Sequence, residues 1–308
     1  MWYNKLMNEK NNKKVIILIG LVISVLIVAV SLVLVFRKTD DETPTTQKAA
    51  FGVWWWNDSL EFEKYLNFAE ENDITEIYYC DSSLNDETRN FISQANARNI
   101  KVYLLCGEKE WLNNRTNLDN LIARYLDFQN GSGSMLSGIH LDIEPHQFDD
   151  FDESREEYIL KLIELADYLK RTYSTINFDY DIPFWLDDEI AFGGSTKPAY
   201  EHIIDIANRV FVMSYRDSAE KIYDVGRDEF EYAKSVGKSL FLCVETYSTE
   251  GDNVSFFEEG KIYMNQELQK LREKLGDGYG ISVHHIKTWF DLKMAENWEL
   301  KKLLNKNH

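Results

Sequence analysis

Residues 137–145 read Ser-Gly-Ile-His-Leu-Asp-Ile-Glu-Pro, and this stretch decides which folds the chain can adopt. Side chains alternate between the two faces of a β-strand, so His140, Asp142 and Glu144 share one face and the apolar residues between them share the other. Ionisable groups inside a strand are costly unless they are paired or functional. In a β-barrel the polar face points to the interior and mouth, and the apolar face packs against surrounding helices. The stretch therefore predicts a barrel strand that ends in a functional site.

Similar strand-like runs alternate with longer amphipathic segments along the rest of the chain. The predicted strands are 51–56, 76–80, 101–106, 138–144, 177–182, 210–213, 239–244 and 280–283. The predicted helices are 60–72, 86–98, 118–130, 153–172, 199–208, 227–236, 257–275 and 290–304. Eight such alternations within about 250 residues are typical of a (β/α)8 TIM barrel. A doubly wound sheet is the alternative, but it needs a glycine-rich turn after the first strand, where this chain has Trp54-Trp55-Trp56-Asn57.

The charge distribution excludes several classes of protein. The 308 residues carry a net charge of −18, and the first 38 carry +5, so residues 39–308 carry −23. This excess of negative charge disfavours nucleic acid and anionic lipid as partners of the main body. An aromatic content of 14% and a hydrophobic content of 44% exclude a disordered acidic tail. The sequence predicts a large folded domain.

Residues 15–36 form a run of 22 residues without a charge. As a helix this run would span about 33 Å, close to the hydrocarbon thickness of a bilayer. No small-residue cleavage site follows it, so an uncleaved signal anchor is predicted. The chain then divides into a short cytoplasmic segment (1–14), the transmembrane anchor (15–36), a tether (37–50) and the barrel domain (51–308).

The lysines around this anchor predict its orientation. Lys5, Lys10, Lys13 and Lys14 precede the apolar run, whereas Arg37 and Lys38 follow it. This asymmetry favours a cytoplasmic N-terminus. The expected location is the cell membrane, with a single span, contact with the lipid bilayer through residues 15–36 and an extracellular C-terminal domain.

No metal or cofactor is predicted. Cys80, Cys106 and Cys243 are odd in number and far apart, so they are interpreted as buried thiols. Only one of the adjacent His284 and His285 can face a site from a strand. A phosphate-binding loop, a serine nucleophile elbow and a nicotinamide fingerprint are all missing from the sequence.

Carboxylates and large aromatic residues dominate the ends of the predicted strands, where TIM barrels place their active sites. Aromatic rings stack on sugar rings, and paired carboxylates break glycosidic bonds. Asp142 beside Glu144 raises the proton affinity of Glu144, which suits a general acid. A buried salt-bridged cluster is the structural alternative. Besides these two and His140, the candidate site residues are Trp56, Asn57, Asp81, Asp181, Tyr215, Asp217, Glu245, Tyr247, His284 and Trp289.

The stretch at 137–145 resembles the D-G-x-D-x-D-x-E motif on strand four of family 18 glycoside hydrolases, the chitinase-like barrels. Gly138, Asp142 and Glu144 match this motif, while Ser137 and His140 stand where the family has Asp. The resemblance implies a chitinase-like TIM barrel that hydrolyses a glycan.

Two further landmarks of the family fall in order along the chain. Met213-Ser214-Tyr215 is similar to its M-x-Y-D motif, although Arg216 occupies the Asp position and Asp217 follows one residue late. Trp289, just beyond the last strand, is expected to form the aromatic floor under the reacting sugar.

The resemblance also implies roles for particular residues. Glu144 would protonate the leaving oxygen, and Asp142 would orient the acetamido group of the substrate, which attacks the anomeric carbon. Tyr215 would hydrogen-bond the resulting oxazolinium ion. A protonated His140 would hold Asp142 ionised in place of the missing carboxylate. The expected substrate is a glycan that contains N-acetylhexosamine.

Two alternatives stay open. Glu144-Pro145 and Glu245-Thr246 also look like the acid/base and the nucleophile of clan A retaining glycosidases, although Ile143 stands where that clan has Asn. The other alternative is a non-catalytic carbohydrate-binding barrel, because binding needs only the aromatic residues. Ser137, His140 and Arg216 are the departures that favour it.

Overall fold

The computed structural model describes residues 49–56, 61–81, 83–131, 133, 135–249, 251 and 253–294. The predicted anchor at 15–36, nearly all of the tether and the candidate residue Asn57 lie outside these ranges. Among the helices that are described, none has both the length and the apolar character needed to cross a bilayer.

Eight parallel strands close into a barrel, as the sequence predicts. The described residues form ten strands in all, and two of them, β6 and β7, lie outside the barrel. In chain order the strands are β1 Phe51–Trp56, β2 Glu76–Cys80, β3 Lys101–Cys106, β4 Ile139–Leu141, β5 Phe178–Pro183, β6 Glu189–Phe192, β7 Ser195–Pro198, β8 Arg209–Met213, β9 Ser239–Glu245 and β10 Gly280–His284. The barrel order is β1-β2-β3-β4-β5-β8-β9-β10, closing on β1, while β6 and β7 form a separate antiparallel hairpin. The prediction of a (β/α)8 barrel is confirmed.

Helices follow the barrel strands. They are α1 Phe62–Glu71, α2 Asp86–Ala97, α3 Thr116–Asn130, α4 Arg155–Thr172, α5 Ala199–Ile206, α6 Ala219–Val225, α7 Arg227–Ser235, α8 Lys261–Leu275 and α9 Ile286–Asp291. The β6–β7 hairpin and α6 were not predicted. Most residues of the hairpin are exposed or half-buried, so it lacks the apolar run that marks the barrel strands, and α6 has only seven residues. The predicted helix 290–304 is wrong at its start, since α9 begins at Ile286 and residues 292–294 are not helical.

Two hydrophobic cores result from the alternation of side chains along the strands. Trp55 points outward into the large core between the barrel and its helices, whereas its neighbour Trp54 points into the barrel. Inside the barrel, Phe211 stacks on Phe241 with ring centroids 4.1 Å apart. Tyr78 packs beside them and completes an aromatic layer below the carboxyl ends of the strands.

A buried ionic cluster lies at the opposite end of the barrel, where the strands begin. Nη2 of Arg209, at the start of β8, lies 2.6 Å from Oδ2 of Asp179 on β5. Its Nη1 lies 2.7 Å from Oε2 of Glu76 on β2, which also accepts a hydrogen bond from the Tyr78 hydroxyl at 3.1 Å. This cluster joins three strands that are far apart in the sequence.

Candidate active site

A pocket of about 330 Å³ opens at the carboxyl ends of the barrel strands. It is lined by Trp54, Trp56, Gly107, Lys109, Asp142, Glu144, Gln147, Asp181, Met213, Tyr215, Glu245 and His284. Seven of the candidate residues therefore come together: Trp56, Asp142, Glu144, Asp181, Tyr215, Glu245 and His284. The barrel directs them to one point because parallel strands all end on the same side.

The end of β3 fixes the backbone of Asp142. Its N–H donates to the carbonyl of Cys106 at 2.9 Å. A Cβ atom at Gly107 would lie 1.7 Å from the Asp142 carbonyl oxygen, so only glycine fits at this close approach. The two strand ends therefore hold the Asp142 carboxyl at a fixed place in the pocket.

Asp142 and Asp181 form a pair of neighbouring carboxyl groups. Leu141 of β4 lies opposite Tyr180 of β5 in the parallel register, so the next residues, Asp142 and Asp181, end the two strands side by side. Within the described part of the chain, Oδ1 of each carboxyl is buried and has no hydrogen-bond partner. A proton held between two buried acceptors would satisfy both of them.

Burial raises the pKa of Asp142 well above its ordinary value, and the charges of Asp181 and Glu144 raise it further. Burial also raises the pKa of Asp181 well above its ordinary value, against the lowering effect of the hydrogen bond from Trp54. Two like charges this close cannot both ionise easily. Both carboxyl groups are therefore harder to ionise than a carboxyl group in water, and the charge of Asp181 opposes the ionisation of Asp142.

The expected role of His140 is wrong. Nε2 of His140 lies 2.8 Å from Oδ2 of Asp181, and no contact with Asp142 is seen. The ring is fully buried and stacks on Tyr78 at 4.2 Å, and burial lowers the pKa of His140 to about 3. The imidazole is therefore neutral at physiological pH and does not hold Asp142 ionised by its charge.

Glu144 lies at the mouth of the pocket with 23% of its side chain exposed. The side-chain amide of Gln147 donates to Oε2 of Glu144, and Nε2 of His146 lies 3.7 Å from Oε1. Both partners lie on the short 3₁₀ turn Pro145–Gln147 that follows the strand end. This turn was not predicted, although Pro145 directly after Glu144 is a sequence signal for a tight turn. The arrangement leaves the carboxyl of Glu144 open to a ligand and orients it.

Glu245, His284 and Trp56 form a chain of hydrogen bonds across the pocket. Oε1 of Glu245 accepts the backbone N–H groups of Thr246 and Tyr247, each at 2.7 Å. Its Oε2 lies 2.8 Å from Nδ1 of His284. Nε1–H of Trp56 donates to Nε2 of His284 at 2.9 Å. The carboxylate of Glu245 thus sets the tautomer of His284, which holds the indole of Trp56 as a wall of the pocket.

The bond between Trp56 and His284 is expected to break on acidification. Burial lowers the pKa of His284, but the hydrogen bond and charge of Glu245 and the charges of Asp142 and Asp181 raise it more, so the net shift is upward. A pKa above the ordinary value of about 6.5 means that the second ring nitrogen gains its proton as pH falls through that higher value. The protonated Nε2 cannot accept from Trp56.

The measurement is the indole N–H resonance of Trp56 in a ¹⁵N-tryptophan-labelled protein, recorded between pH 9 and pH 5. It should shift and exchange faster with water as His284 gains its proton. His284→Gln is the control, because its amide oxygen can accept from Trp56 and does not titrate. A resonance of Trp56 that stays constant over this range would contradict the assignment.

Tyr215 faces the same pocket from the chain that follows β8. Burial raises the pKa of its hydroxyl well above the ordinary value, and the charge of Glu245 adds to this shift. The hydroxyl therefore stays protonated and can donate a hydrogen bond. Arg216, at the position where chitinase-like barrels have Asp, donates from Nη1 to the Tyr215 carbonyl at 2.7 Å and lies over the ring of Phe184.

The prediction that Trp289 forms the aromatic floor is wrong. Its side chain is 1% exposed and lies in the core between barrel and helices, with ring centroids 5.4 Å from Phe51 and 5.2 Å from Phe68. Because α9 begins at Ile286, Trp289 falls one helical turn later on the same buried face. The tryptophans that line the pocket are Trp54 and Trp56 on β1.

Three further candidates lie outside the pocket lining. Asp81 accepts from the N–H of Ser83 at 2.8 Å and from the hydroxyl of Thr88, so it organises the loop before α2. Asp217 is buried and lies 3.2 Å from Nζ of Lys221. Tyr247 is 58% exposed on the rim beside Glu245.

The pocket also contains residues that the sequence analysis missed. Trp54 donates from Nε1 to Oδ2 of Asp181 at 3.2 Å, and Lys109 donates to the Gln147 carbonyl at 2.6 Å. Trp54 could have been found from the strand alternation that places Trp56 inside. Within the described ranges, no three His, Cys, Asp or Glu residues are arranged to hold a metal ion. His285 lies away from the pocket, where its Nδ1 accepts the Lys287 N–H and caps α9.

Comparison with known proteins gives structural similarities at low identity. No protein-family model matches the sequence, and no curated protein matches it. The spore cortex-lytic enzyme SleL of Bacillus megaterium QM B1551 is similar at 15% identity with a TM-score of 0.49, covering 80% of this chain and 74% of that chain. A class V chitinase mutant of Cycas revoluta in complex with (GlcNAc)3 is similar at 14% identity, TM-score 0.45, over 79% and 96% of the two chains. The class V chitinase of Nicotiana tobaccum is similar at 11% identity with a TM-score of 0.46, covering 78% of this chain and 99% of that chain.

None of these similarities decides the activity. The pocket itself has to indicate the chemistry, and it brings together a partly exposed carboxyl, a buried carboxyl pair, a protonated tyrosine hydroxyl and an indole wall. Sugar recognition and acid catalysis both use such groups.

Proposed function

We propose that the protein is a glycoside hydrolase that acts on a glycan containing N-acetylhexosamine. The observation that carries this proposal is the arrangement of Glu144 at the pocket mouth in front of the buried pair of Asp142 and Asp181. An accessible acid is needed to protonate a glycosidic oxygen, and a fixed negative charge stabilises the cation that forms at the sugar. Trp56 offers an apolar surface for the sugar ring.

The mechanism follows from these positions. Glu144 donates its proton to the glycosidic oxygen, the bond from that oxygen to the anomeric carbon breaks, and the carbonyl oxygen of the acetamido group bonds to the anomeric carbon. The acetamido N–H donates to Asp142, and an ionised carboxylate at Asp142 or Asp181 stabilises the resulting oxazolinium ion. The Tyr215 hydroxyl donates to the acetamido oxygen. Glu144 then takes a proton from water, and the oxygen of that water bonds to the anomeric carbon. The bond from the acetamido oxygen to this carbon breaks, which regenerates the acetamido group and leaves Glu144 protonated.

The contacts of Glu245 support a positioning role over a nucleophilic one. Both of its oxygens accept hydrogen bonds, two on Oε1 and one on Oε2, so three of about four lone-pair positions are occupied. A nucleophilic carboxylate must present a free oxygen to the anomeric carbon. Glu245 instead supports the wall formed by His284 and Trp56.

Substitutions of Asp142 and Glu245 separate the two mechanisms. Asp142→Asn should abolish most turnover, and glycans without the acetyl group should be inert, because the substrate itself supplies the nucleophile. Glu245→Gln should raise KM more than it lowers kcat, because it loosens the pocket wall. Steady-state kinetics on acetylated and deacetylated chito-oligosaccharides measure both effects. If Glu245→Gln eliminates turnover and added azide restores it as a glycosyl azide, the covalent mechanism is correct instead.

We also propose that residues 15–36 anchor the protein in the cell membrane, with the barrel domain outside. The support is the uncharged run of 22 residues and the excess of lysines before it. Protease added to intact cells should remove the barrel domain, as detected with an antibody against it. Loss of the domain only after permeabilisation would show that the orientation is reversed.

A further inference from the structure

A second cleft adjoins the pocket and shares a wall with it. The cleft has a volume of about 470 Å³ and lies between the ends of β2 and β3 and helix α3. Trp56 and Gly107 line both cavities. Part of its wall is apolar, with Leu104, Leu105 and Leu121 buried there. Neighbouring units of one polymer could therefore occupy the pocket and the cleft, on either side of Trp56.

The polar side chains of this cleft include several hydrogen-bond donors. Asn117, Asn120 and Arg124 line it from one face of α3, because their spacing of three and four residues matches the helical repeat. Trp111 also lines it, is 3% exposed and has a buried indole N–H without an acceptor among the described residues. Glu108 is the single carboxylate in the lining. Such a surface fits a ligand that is rich in acceptors.

Arg124 differs from the other described arginines in lacking a partner. Each of the others contacts a carboxylate or lies over an aromatic ring: Arg89, Arg98, Arg115, Arg155, Arg171, Arg209, Arg216, Arg227 and Arg272. Within the described ranges, no carboxylate pairs with Arg124 and no ring lies under it. The chain has 52 acidic residues, yet the guanidinium of Arg124 beside the cleft is left available to an anionic ligand.

We propose that this cleft is a second sugar-binding site, which selects a glycan unit bearing a carboxylate, with Arg124 as the residue that determines this specificity. The inference rests on the proposed function. A guanidinium binds a carboxylate through two parallel hydrogen bonds, and amide groups bind sugar hydroxyls. A neutral glycan would leave Arg124 without a counter-charge. A glycan in which neutral and acidic hexosamine units alternate would place a neutral unit in the pocket and an acidic unit in the cleft.

The test uses the full-length protein with Glu144→Gln, so that glycans bind without being cleaved. The probes are a tetrasaccharide in which alternate N-acetylglucosamine units carry a lactyl ether carboxylate, the same compound with its carboxylates amidated, and neutral N-acetylglucosamine tetramer. Binding is measured by isothermal titration calorimetry in about 0.15 M salt, where the screening length is about 8 Å. Under these conditions a difference in Kd between the probes reports on charged groups close to the bound glycan. The acidic probe should bind about tenfold more tightly than its amidated form, the scale of one charged hydrogen-bonded contact.

Variants in the same background assign the effect. Arg124→Gln should remove the preference for the acidic probe, so that the acidic and amidated probes bind with equal Kd. Asn120→Asp should weaken binding of the acidic probe by adding a like charge. Arg171→Gln is the matched control, because its guanidinium is 73% exposed on α4 and lies outside both cavities.

Two results would overturn the proposal: equal affinity for the acidic and amidated probes, or a preference that survives Arg124→Gln. Either result, together with cleavage of the neutral tetramer by the unsubstituted protein, would leave the proposed function intact. If no probe is bound or cleaved, the proposed function fails and this site fails with it.

Discussion

Replacing Glu144 with Gln is expected to lower the rate of glycan hydrolysis by about 10²-fold or more, the usual scale of general acid catalysis. Gln keeps the size of the side chain and its hydrogen bonding with Gln147, but it has no proton to give to the leaving oxygen. Release of reducing sugar from an N-acetylhexosamine glycan measures the effect.

Glu157→Gln is the matched control for this substitution. Glu157 is 66% exposed on α4, where it pairs with Lys161. The Glu157→Gln variant should therefore hydrolyse the glycan at the rate of the parent protein. The circular dichroism spectrum and the melting temperature of Glu144→Gln should equal those of the parent. An equally active Glu144→Gln variant would rule out both enzymatic mechanisms and leave a carbohydrate-binding barrel without catalysis.

Replacing Arg209 with Met is expected to lower the free energy of unfolding by about 3–5 kcal/mol, the range for removing one partner of a buried ion pair. Arg209 is the cation between Asp179 and Glu76, whose side chains are 1% and 4% exposed. Without it, two carboxyl groups remain buried without a counter-charge. Urea unfolding followed by tryptophan fluorescence gives the free energy.

A second variant separates the lost charge from the lost packing. Arg209→Met combined with Glu76→Gln and Asp179→Asn should recover part of the loss, because it no longer buries charged groups without a partner. Arg171→Met removes an exposed ion pair with Asp167 and should change the stability by about 0.5 kcal/mol or less. A loss below about 1 kcal/mol in Arg209→Met would mean that the cluster does not hold the barrel together.

The sequence predicted the barrel because strand alternation is a local property. Three of the eight barrel strands, β1, β2 and β3, begin and end as predicted, and the polar face of β4 does reach the site. What the sequence could not provide are contacts between strands. The prediction linked His140 to Asp142 because the two lie on one strand. In the structure the register places Asp179 of β5 opposite His140, and the imidazole of His140 contacts Asp181, two residues further along β5.

The choice of tryptophan failed for a related reason. Trp56 and Trp289 both follow or end a strand, and both are large aromatic residues at the carboxyl side. Whether Trp289 faces the pocket depends on where α9 begins, because a shift of a few residues at the start of a helix turns a side chain from the pocket mouth to the core. Element boundaries are the least reliable part of a prediction from sequence.

The aromatic layer of Trp54, Tyr78, Phe211 and Phe241 is a slab of low dielectric between two groups of charges. Below it lie one guanidinium and two carboxyl groups, and above it lies the carboxyl pair of the pocket. Electric fields are screened weakly across such a medium, and the charge of Asp179 already raises the pKa of Asp181 through it. Neutralising Asp179 would therefore lower the pKa of Asp181 without any change to the residues that line the pocket. The ionisation of the pocket therefore depends on residues at the opposite end of the barrel.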